Sequence, residues 1–413
     1  MTTIRPNSTS GVVGTPLGGY PGEFRCHLEG QHYRRPTIAE YTRCIDALGQ
    51  LMKERGVDIK DLDEDRAVSL ISSWERPLSW GKYPTFIVKS FVKFLTDLGA
   101  GKPVLPPTID DTARGLLKQD YEDYLRHQRG LSERTIGHCW RFADRFLKFR
   151  FNGEEADLSR ITSIDIVRFM QHLTSRGKPF RDKTPPTHLR NFFQYLFKSG
   201  KTAANLALGI PSIAQRYGAR LPRHLNPEQV ESLIRAVRAD TPIGRRNYAM
   251  VLLLARLGLR APEVIAMQID DIDWRAGEIL VRGKGQTHDR VPLPQDVGEA
   301  LADYVRRDRV TTSRALFVTE PAPHRPFSDG QILNAVLKDA FAKTGLTPPM
   351  PYVGSHILRH SLATTLVQRG ASLEEIGDML RHRSRASTLI YAKLDIEGLR
   401  SIAQPWPVAG GAK

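Results

Sequence analysis

The sequence predicts a mainly α-helical protein with a small β-hairpin or sheet in its C-terminal half. Apolar residues recur at helical spacing through the first half of the chain, as Ile38, Tyr41, Ile45 and Leu48 do. Apolar and polar residues alternate instead over residues 278–293, with glycines at the centre, which is typical of two strands joined by a turn. The predicted fold is therefore a series of helical bundles followed by a mixed domain.

The charge balance points to a polyanionic partner. Lys and Arg number 60 against 45 Asp and Glu, a formal net charge of +15 on 413 residues. We expect nucleic acid rather than membrane as the partner, because no basic amphipathic anchor stands out. A chain of this length has room for several domains, each with its own core.

The cysteines and the N-terminus exclude other classes. Cys26, Cys44 and Cys139 are widely spaced and form no C-x-x-C pair, which argues against a zinc ribbon or a disulfide framework and favours reduced thiols. Residues 1–22 are rich in small residues and lack the apolar core of a signal peptide, and no apolar run of about 18 residues occurs. We therefore expect a flexible N-terminal segment and a soluble bacterial protein of the cytoplasm.

The helical part contains two similar modules. Segments that begin at residues 36, 61 and 89 resemble segments that lie 98, 99 and 101 residues further on. A near-constant offset suggests duplication of a small bundle, the alternative being chance similarity between amphipathic helices. The predicted division of the chain is 23–108, 109–213, a basic linker 214–225, a domain 226–394 and a terminal helix and tail 395–413.

The last large domain starts with a clear helix signal. Asn226 is a good N-cap, Pro227 suits the first helical position and Glu228 lies in the first turn. The linker before it carries arginines that suit a phosphate backbone: Arg216, Arg220 and Arg223.

Residues suited to phosphate chemistry gather near the C-terminus. His356 and Arg359 are three residues apart, so both leave one face of a helix. His382 and Tyr391 follow. Guanidinium groups bind phosphoryl oxygens, imidazoles move protons and a phenol can be a nucleophile, whereas few acids lie nearby to hold a metal.

Two upstream segments supply further cations. Gly258 breaks a helical pattern, so that Arg260 stands where the next helix begins, with Pro262 in the first turn, and backbone N–H groups point toward an anion there. Lys284 lies between two glycines at the turn of the predicted hairpin, from which it can reach into a groove.

These motifs, "LGLRAPEV", "GKG", "HILRH" and "LRH" followed by a Ser/Thr segment and a tyrosine, resemble those of the tyrosine recombinase (phage integrase, Xer-like) family. The resemblance implies an enzyme that cuts and rejoins DNA through a 3′-phosphotyrosine, with no metal, cofactor or ATP. It implies a catalytic set with two supporting residues, Glu263 beside Arg260 and Arg290 on the returning strand. The set is Arg260, Lys284, His356, Arg359, His382 and Tyr391.

The resemblance also implies a role for each group. Arg260 and Arg359 neutralise the phosphate, Tyr391 attacks it and Lys284 protonates the leaving 5′ oxygen. His356 assists proton transfer at Tyr391, and His382 hydrogen-bonds the phosphate or the nucleophile.

The family plan implies a C-shaped clamp in which residues 109–213 are the core-binding (SAM-like) domain and 226–394 the catalytic domain. The terminal helix would dock on a neighbouring protomer, giving a tetramer on two duplexes, and accessory or co-encoded recombinases are further candidate partners. Eight arginines are candidate DNA contacts: Arg141, Arg145, Arg190, Arg216, Arg220, Arg223, Arg381 and Arg383.

One position departs from the family pattern. Arg381 stands where the resemblance implies a glycine before the last histidine. An arginine there is either strained by a positive φ or an additional DNA contact, and we favour the contact.

Two other functions fit the same residues. One is a non-catalytic DNA-binding regulator on this scaffold, which would lose a catalytic group, although all six positions are occupied. The other is an enzyme of the type IB topoisomerase or telomere-resolvase kind. The sequence leaves open the target site, the type of element, the choice among integration, transposition and resolution, and the use of the N-terminal module.

Overall fold

The fold is mostly helical with one small antiparallel sheet, which confirms the predicted fold class. One compact unit is Leu105–Tyr217, and the other combines Met1–Val104 with Gly218–Lys413. The computed structural model describes residues 14–73, 84–102, 112–152, 156–174, 184–210, 222–283, 287–350 and 353–394. None of the helices in these ranges is both long enough and apolar enough to cross a membrane.

The N-terminal helices pack through the stripe of apolar residues that the sequence predicts. In the second helix, Ile45 and Leu48 are completely buried. The fourth helix ends before Gly99, whose φ of +71° suits a glycine. The helices are α1 (Tyr20–Gly30), α2 (Arg35–Glu54), α3 (Glu64–Ser72) and α4 (Pro84–Asp97).

The smaller unit has an aromatic core of its own. The Phe146 ring meets Phe169 and Phe193 edge to face, at centroid distances of 5.4 and 5.1 Å. Its helices are α5 (Ala113–Asp123), which continues as a π-helical turn, α6 (Glu133–Phe151), α7 (Ser163–Thr174) and α8 (Thr184–Lys198).

The C-terminal part of the larger unit is built around a helix that is buried on all sides. This helix, α10, is surrounded by α9, α12, α13 and α14, and its residues from Ala249 to Ala255 are all buried. The sequence signal for the start of α9 is confirmed, since Asn226 Oδ1 accepts a 2.8 Å hydrogen bond from the Gln229 N–H. The helices are α9 (Pro227–Val237), α10 (Pro242–Arg256), α11 (Ala261–Ala266), α12 (Gln295–Arg307), α13 (Gln331–Thr344), α14 (His356–Gln368), α15 (Leu373–Met379) and α16 (Arg385–Thr388), and a 3₁₀ turn Leu389–Leu394 follows.

The sheet consists of β1 (Ile272–Asp273), β2 (Glu278–Arg282) and β3 (His288–Pro292) in antiparallel order. The predicted hairpin is formed by β2 and β3, and its buried side is provided by Ile279 and Val281. The short β1 was not predicted.

Gly258 produces the break between α10 and α11. Its φ is +59°, and a Cβ there would lie 2.6 Å from Leu380 Cδ2 and 3.1 Å from Leu362 Cδ2. Only glycine fits both the backbone and the space. This break places Arg260 at the N-cap of α11.

We expect Gly258→Ala to destabilise the larger unit more than Gly277→Ala does. Gly277 has a similar φ of +66°, but nothing lies within 4 Å of the position that a methyl group would take. The loss of stability in Gly277→Ala therefore measures the backbone strain alone. Strain costs about 1–2 kcal/mol, and overpacking at Gly258 adds about 1–3 kcal/mol. Urea unfolding of both variants measures the difference, and equal losses would show that Leu380 and Leu362 make room.

Candidate active site

Arg359 ties together the segments that form the site. Its side chain leaves α14 into the protein, the residue is only 4% exposed, and its Nη1 and Nη2 donate to the carbonyl oxygens of Gly258 and Leu380. One guanidinium thereby joins the break before α11 to the end of α15. Burial and the nearby charge of Arg260 lower the pKa of Arg359 to about 10, so it remains a cation at neutral pH.

Arg260 is held by Glu263, the residue that the family resemblance places beside it. Glu263 Oε1 accepts from Arg260 Nη1 at 2.6 Å, and Oε2 accepts from the Arg260 backbone N–H at 2.9 Å. Burial would raise the pKa of Glu263, which is 5% exposed, but the hydrogen bonds from Arg260 and the charge of Arg381 outweigh burial and lower it. The carboxylate is therefore ionised, and it fixes the direction of Arg260.

Arg381, a predicted DNA contact, has a side chain that points into the site. Its side chain is 8% exposed, and Nη2 lies 3.4 Å from Glu263 Oε2. Its φ of +55° is the left-handed conformation that the glycine of the family pattern would adopt. The arginine thus keeps the glycine backbone and turns its side chain inward.

His382 is oriented by Thr388. The ring Nδ1 lies 2.7 Å from Thr388 Oγ1, and Thr388 is buried. With Nδ1 engaged in this bond, Nε2 is the ring atom left to contact another group. Burial, followed by the charges of Arg359 and Arg260, lowers the pKa of His382 to about 4.

The phenol of Tyr391 contacts a histidine that is absent from the predicted catalytic set. Tyr391 is 1% exposed, and its oxygen lies 2.7 Å from Nδ1 of His360, the residue after Arg359. The side chain packs in a small apolar cluster with Val367, Ile376 and others. The one available signal was the second histidine of "HILRH", four residues after the first and hence on the same helix face.

His356 therefore does not make the contact with Tyr391 that its predicted role suggests. It is exposed at the start of α14, and its ring centroid lies 6.4 Å from that of His360. Burial of part of the ring and the charge of Arg359 lower its pKa.

The protonation of the phenol and its partner follows from burial. Burial, His356 and Arg359 lower the pKa of His360 to about 4, so the ring is neutral at pH 7. Burial raises the pKa of Tyr391 to about 12, although Arg359 opposes this. The phenol consequently keeps its proton, and it shares a hydrogen bond with Nδ1 of the neutral His360 ring.

Two predicted site residues remain, and the structure describes one of them, Arg290. Lys284, in the hairpin turn, lies outside the described residues. Arg290 is exposed on β3 and forms an ion pair with Glu278 at 3.1 Å. Over the described part of the chain, no three His, Cys, Asp or Glu side chains are grouped as metal ligands would be.

The candidate DNA contacts of the smaller unit have different surroundings. Arg141 and Arg145 are exposed on α6, the latter over the Phe142 ring at 5.9 Å. Arg190 is half-buried and donates to the Ile210 carbonyl at 3.2 Å, so its side chain is already used within this unit. The first two therefore remain the better candidates.

The other candidate contacts lie after the smaller unit or at its end. Arg223 is exposed but donates to the Pro349 carbonyl at 2.6 Å, and Arg383 is exposed. Arg216 and Arg220 lie outside the described residues.

The chain has clear relatives among known proteins. Residues 223–397 match the phage integrase family. The integrase/recombinase y4rA of Sinorhizobium fredii is 42% identical over 290 residues, which cover 70% of this chain and 70% of that protein. Tyrosine recombinase XerD of Listeria monocytogenes is 30% identical over 284 residues, which cover 67% of this chain and 93% of that protein.

Solved structures share the fold at lower identity. XerH site-specific recombinase bound to palindromic difH substrate has a TM-score of 0.52 and 20% identity, covering 76% of this chain and 92% of that one. A lambda integrase dimer bound to a COC′ core site has a TM-score of 0.51 and 16% identity, covering 71% of this chain and 99% of that one. The sequence relatives establish more than the fold: this chain belongs to the phage integrase family of tyrosine recombinases, enzymes that cleave and rejoin DNA in site-specific recombination.

Proposed function

We propose that this recombinase cleaves a DNA strand by attack of Tyr391 on a phosphodiester bound by Arg260 and Arg359. The observation that carries the proposal is the placement of the Tyr391 phenol 2.7 Å from His360, the residue next to Arg359 on α14. One helix therefore supports both the proposed nucleophile and a proposed phosphate ligand. Guanidinium groups fixed in this way stabilise the charge that develops on the non-bridging oxygens in the transition state.

Attack on the phosphorus requires the phenol to leave its buried position. Tyr391 lies in the 3₁₀ turn Leu389–Leu394, where its neighbours Leu389 and Ile390 are exposed. A turn with one exposed side can shift without opening the main core. We expect DNA binding to draw this turn toward the phosphate.

The proton balance supports activation by the substrate. The neutral imidazole of His360 can accept the phenol proton, but with its pKa near 4 and that of Tyr391 near 12 the transfer is unfavourable. A bound phosphate adds negative charge near the histidines, which raises their pKa values, and the phenolate charge that the transfer creates is taken up by the bond that forms to phosphorus. The Tyr391 oxygen then bonds to phosphorus as the bond to the 5′ oxygen breaks.

The leaving oxygen needs a proton of its own. We assign this proton to Lys284, from its hairpin position in the sequence, with an effect of roughly 10²–10⁴-fold for a well-placed acid. The phosphotyrosine retains the energy of the broken bond, so a 5′-hydroxyl from a partner strand can reverse the reaction and join the strands. His382, oriented by Thr388, hydrogen-bonds the phosphate.

The biological setting is part of the proposal. The net charge of +15 and the DNA complexes of the XerH and lambda integrase structures support duplex recombination sites as the partner. We propose a homotetramer on two duplexes, acting in the bacterial cytoplasm on integration, excision or transposition of a mobile element. The transposon Tn1549 integrase, whose structure in complex with circular intermediate DNA has a TM-score of 0.51, supports this last assignment.

A suicide duplex with a nick beside the cleavage point tests the reaction. The wild-type protein should form a covalent adduct that survives SDS, because the short strand diffuses away and cannot be rejoined. Tyr391→Phe should form none, since it lacks the nucleophilic oxygen, whereas Tyr248→Phe, a half-buried tyrosine of the same unit, should react normally. An adduct in Tyr391→Phe, or DNA binding without any wild-type adduct, would contradict the assignment.

The two neutral histidines give the fold a pH dependence. A histidine in the unfolded chain binds a proton near pH 6.5, but folded His360 and His382 do so only near pH 4. Between these values the unfolded chain binds more protons, so stability should fall as pH falls from 7 to 5. In His360→Gln the unfolding free energy should fall less steeply with pH, because the difference in bound protons between the unfolded and folded chains is smaller by up to about one.

Urea midpoints at pH 7 and pH 5 measure this difference. His172→Gln is the control, because it removes a histidine whose ring is exposed on α7 of the smaller unit. A slope in His360→Gln equal to the wild-type slope would mean that His360 is protonated alike in the folded and unfolded chains.

A further inference from the structure

Arg381 combines two features that are unfavourable for an arginine. Its backbone is left-handed, with a φ of +55°, in the turn where the N–H groups of Arg381 and His382 donate to the carbonyls of Asp378 and Gly377. Its guanidinium is also buried, and Nε, with no hydrogen-bond partner among the described residues, is shielded from solvent. Glycine would avoid both, so the side chain is expected to contribute elsewhere.

The contact that the side chain makes is with the carboxylate that holds Arg260. Glu263 Oε2 lies 3.4 Å from Arg381 Nη2 and also accepts the Arg260 backbone N–H at 2.9 Å. The second donor contact of Arg381, from Nη1 to the Met379 carbonyl at 3.1 Å, fixes the guanidinium in place. Asp289, exposed on β3, is a further acid near enough to act on Arg381.

Arg381 changes the charge of the phosphate site. Counting only the arginines and Glu263, Arg260 and Arg359 without Arg381 are offset by the ionised carboxylate, which leaves one positive charge in excess. With Arg381 the excess is two. A phosphodiester carries one negative charge, and a second develops as the phenol oxygen attacks, so the larger excess favours the transition state over the bound ground state.

We propose that Arg381 is a positioning residue for strand cleavage rather than a contact to the DNA backbone. By contacting Glu263 Oε2 it holds the carboxylate in place, and Oε1 of that carboxylate in turn fixes the Arg260 guanidinium for the scissile phosphate. This inference rests on the proposed function. It adds a third arginine to the site, at the position where the family pattern has a glycine.

Three substitutions separate the guanidinium from the backbone. Arg381→Gly removes the left-handed strain, Arg381→Asn tolerates the same backbone, and Arg381→Lys keeps the charge without the planar group. Single-turnover adduct formation at saturating suicide duplex should slow by about 10–100-fold in both Gly and Asn variants and less in Lys. Arg369→Asn, which removes an exposed cation from the same unit, should react like the wild type.

DNA affinity measured against salt distinguishes positioning from contact. For a buried Arg381, the slope of log affinity against log salt should stay unchanged in all three variants. A slope reduced by about one, with unchanged adduct rates at saturation, would make Arg381 a phosphate contact and overturn the proposal. Wild-type adduct rates in the Gly and Asn variants would overturn it as well.

Thermal unfolding tests the Arg381–Glu263 pair independently of cleavage, so that this inference and the proposed function fail separately. In Glu263→Gln the buried guanidinium of Arg381 has lost the acid that it faces. Arg381→Asn should therefore change the unfolding midpoint more favourably in the Glu263→Gln background than in the wild-type background. Equal effects in the two backgrounds would show that the pair is not coupled. That result would overturn the proposal even if the protein forms its adduct.

Discussion

The site depends on one buried carboxylate. Glu263 binds the backbone and side chain of Arg260 and faces the guanidinium of Arg381, so that one negative charge organises two positive ones. Arg359 extends the arrangement by donating to the carbonyl of Gly258, shortly before α11 begins. Cations that would repel one another are thus held together by hydrogen bonds. In the proposed function their charge acts on the DNA phosphate.

The proposed nucleophile, in contrast, lies in apolar surroundings. Tyr391 is surrounded by apolar side chains, and its oxygen meets a neutral ring rather than a cation. Low polarity keeps the proton on the phenol, while burial and the nearby charge of Arg359 keep His360 neutral. In the proposed mechanism the unbound protein therefore has its phosphate site assembled and its nucleophile inactive. Such a separation would limit attack on unselected DNA, since the proposed activation requires a phosphate bound by the arginines.

Local sequence patterns predicted the features that depend on neighbouring residues alone. Helical periodicity, the Asn226 cap and the break at Gly258 are all local, and each is seen in the fold. The two-residue strand β1 is too short to show the alternation of apolar and polar residues that predicts a strand. His360 and Arg381 acquire their roles from contacts to residues 31 and 118 positions away, which no local pattern records. The positive φ at Arg381 was foreseeable, but the direction of its side chain was not.

The arginines of the site act, in this mechanism, on the charge of the scissile phosphate. The most direct test replaces that linkage by an uncharged methylphosphonate and compares adduct formation in the wild type and in Arg359→Ala. If charge neutralisation is the role of Arg359, the variant should be strongly impaired on the normal phosphate and recover most of its rate on the methylphosphonate. Equal impairment on both linkages would contradict this mechanism and leave Arg359 with the structural role of joining Gly258 to Leu380.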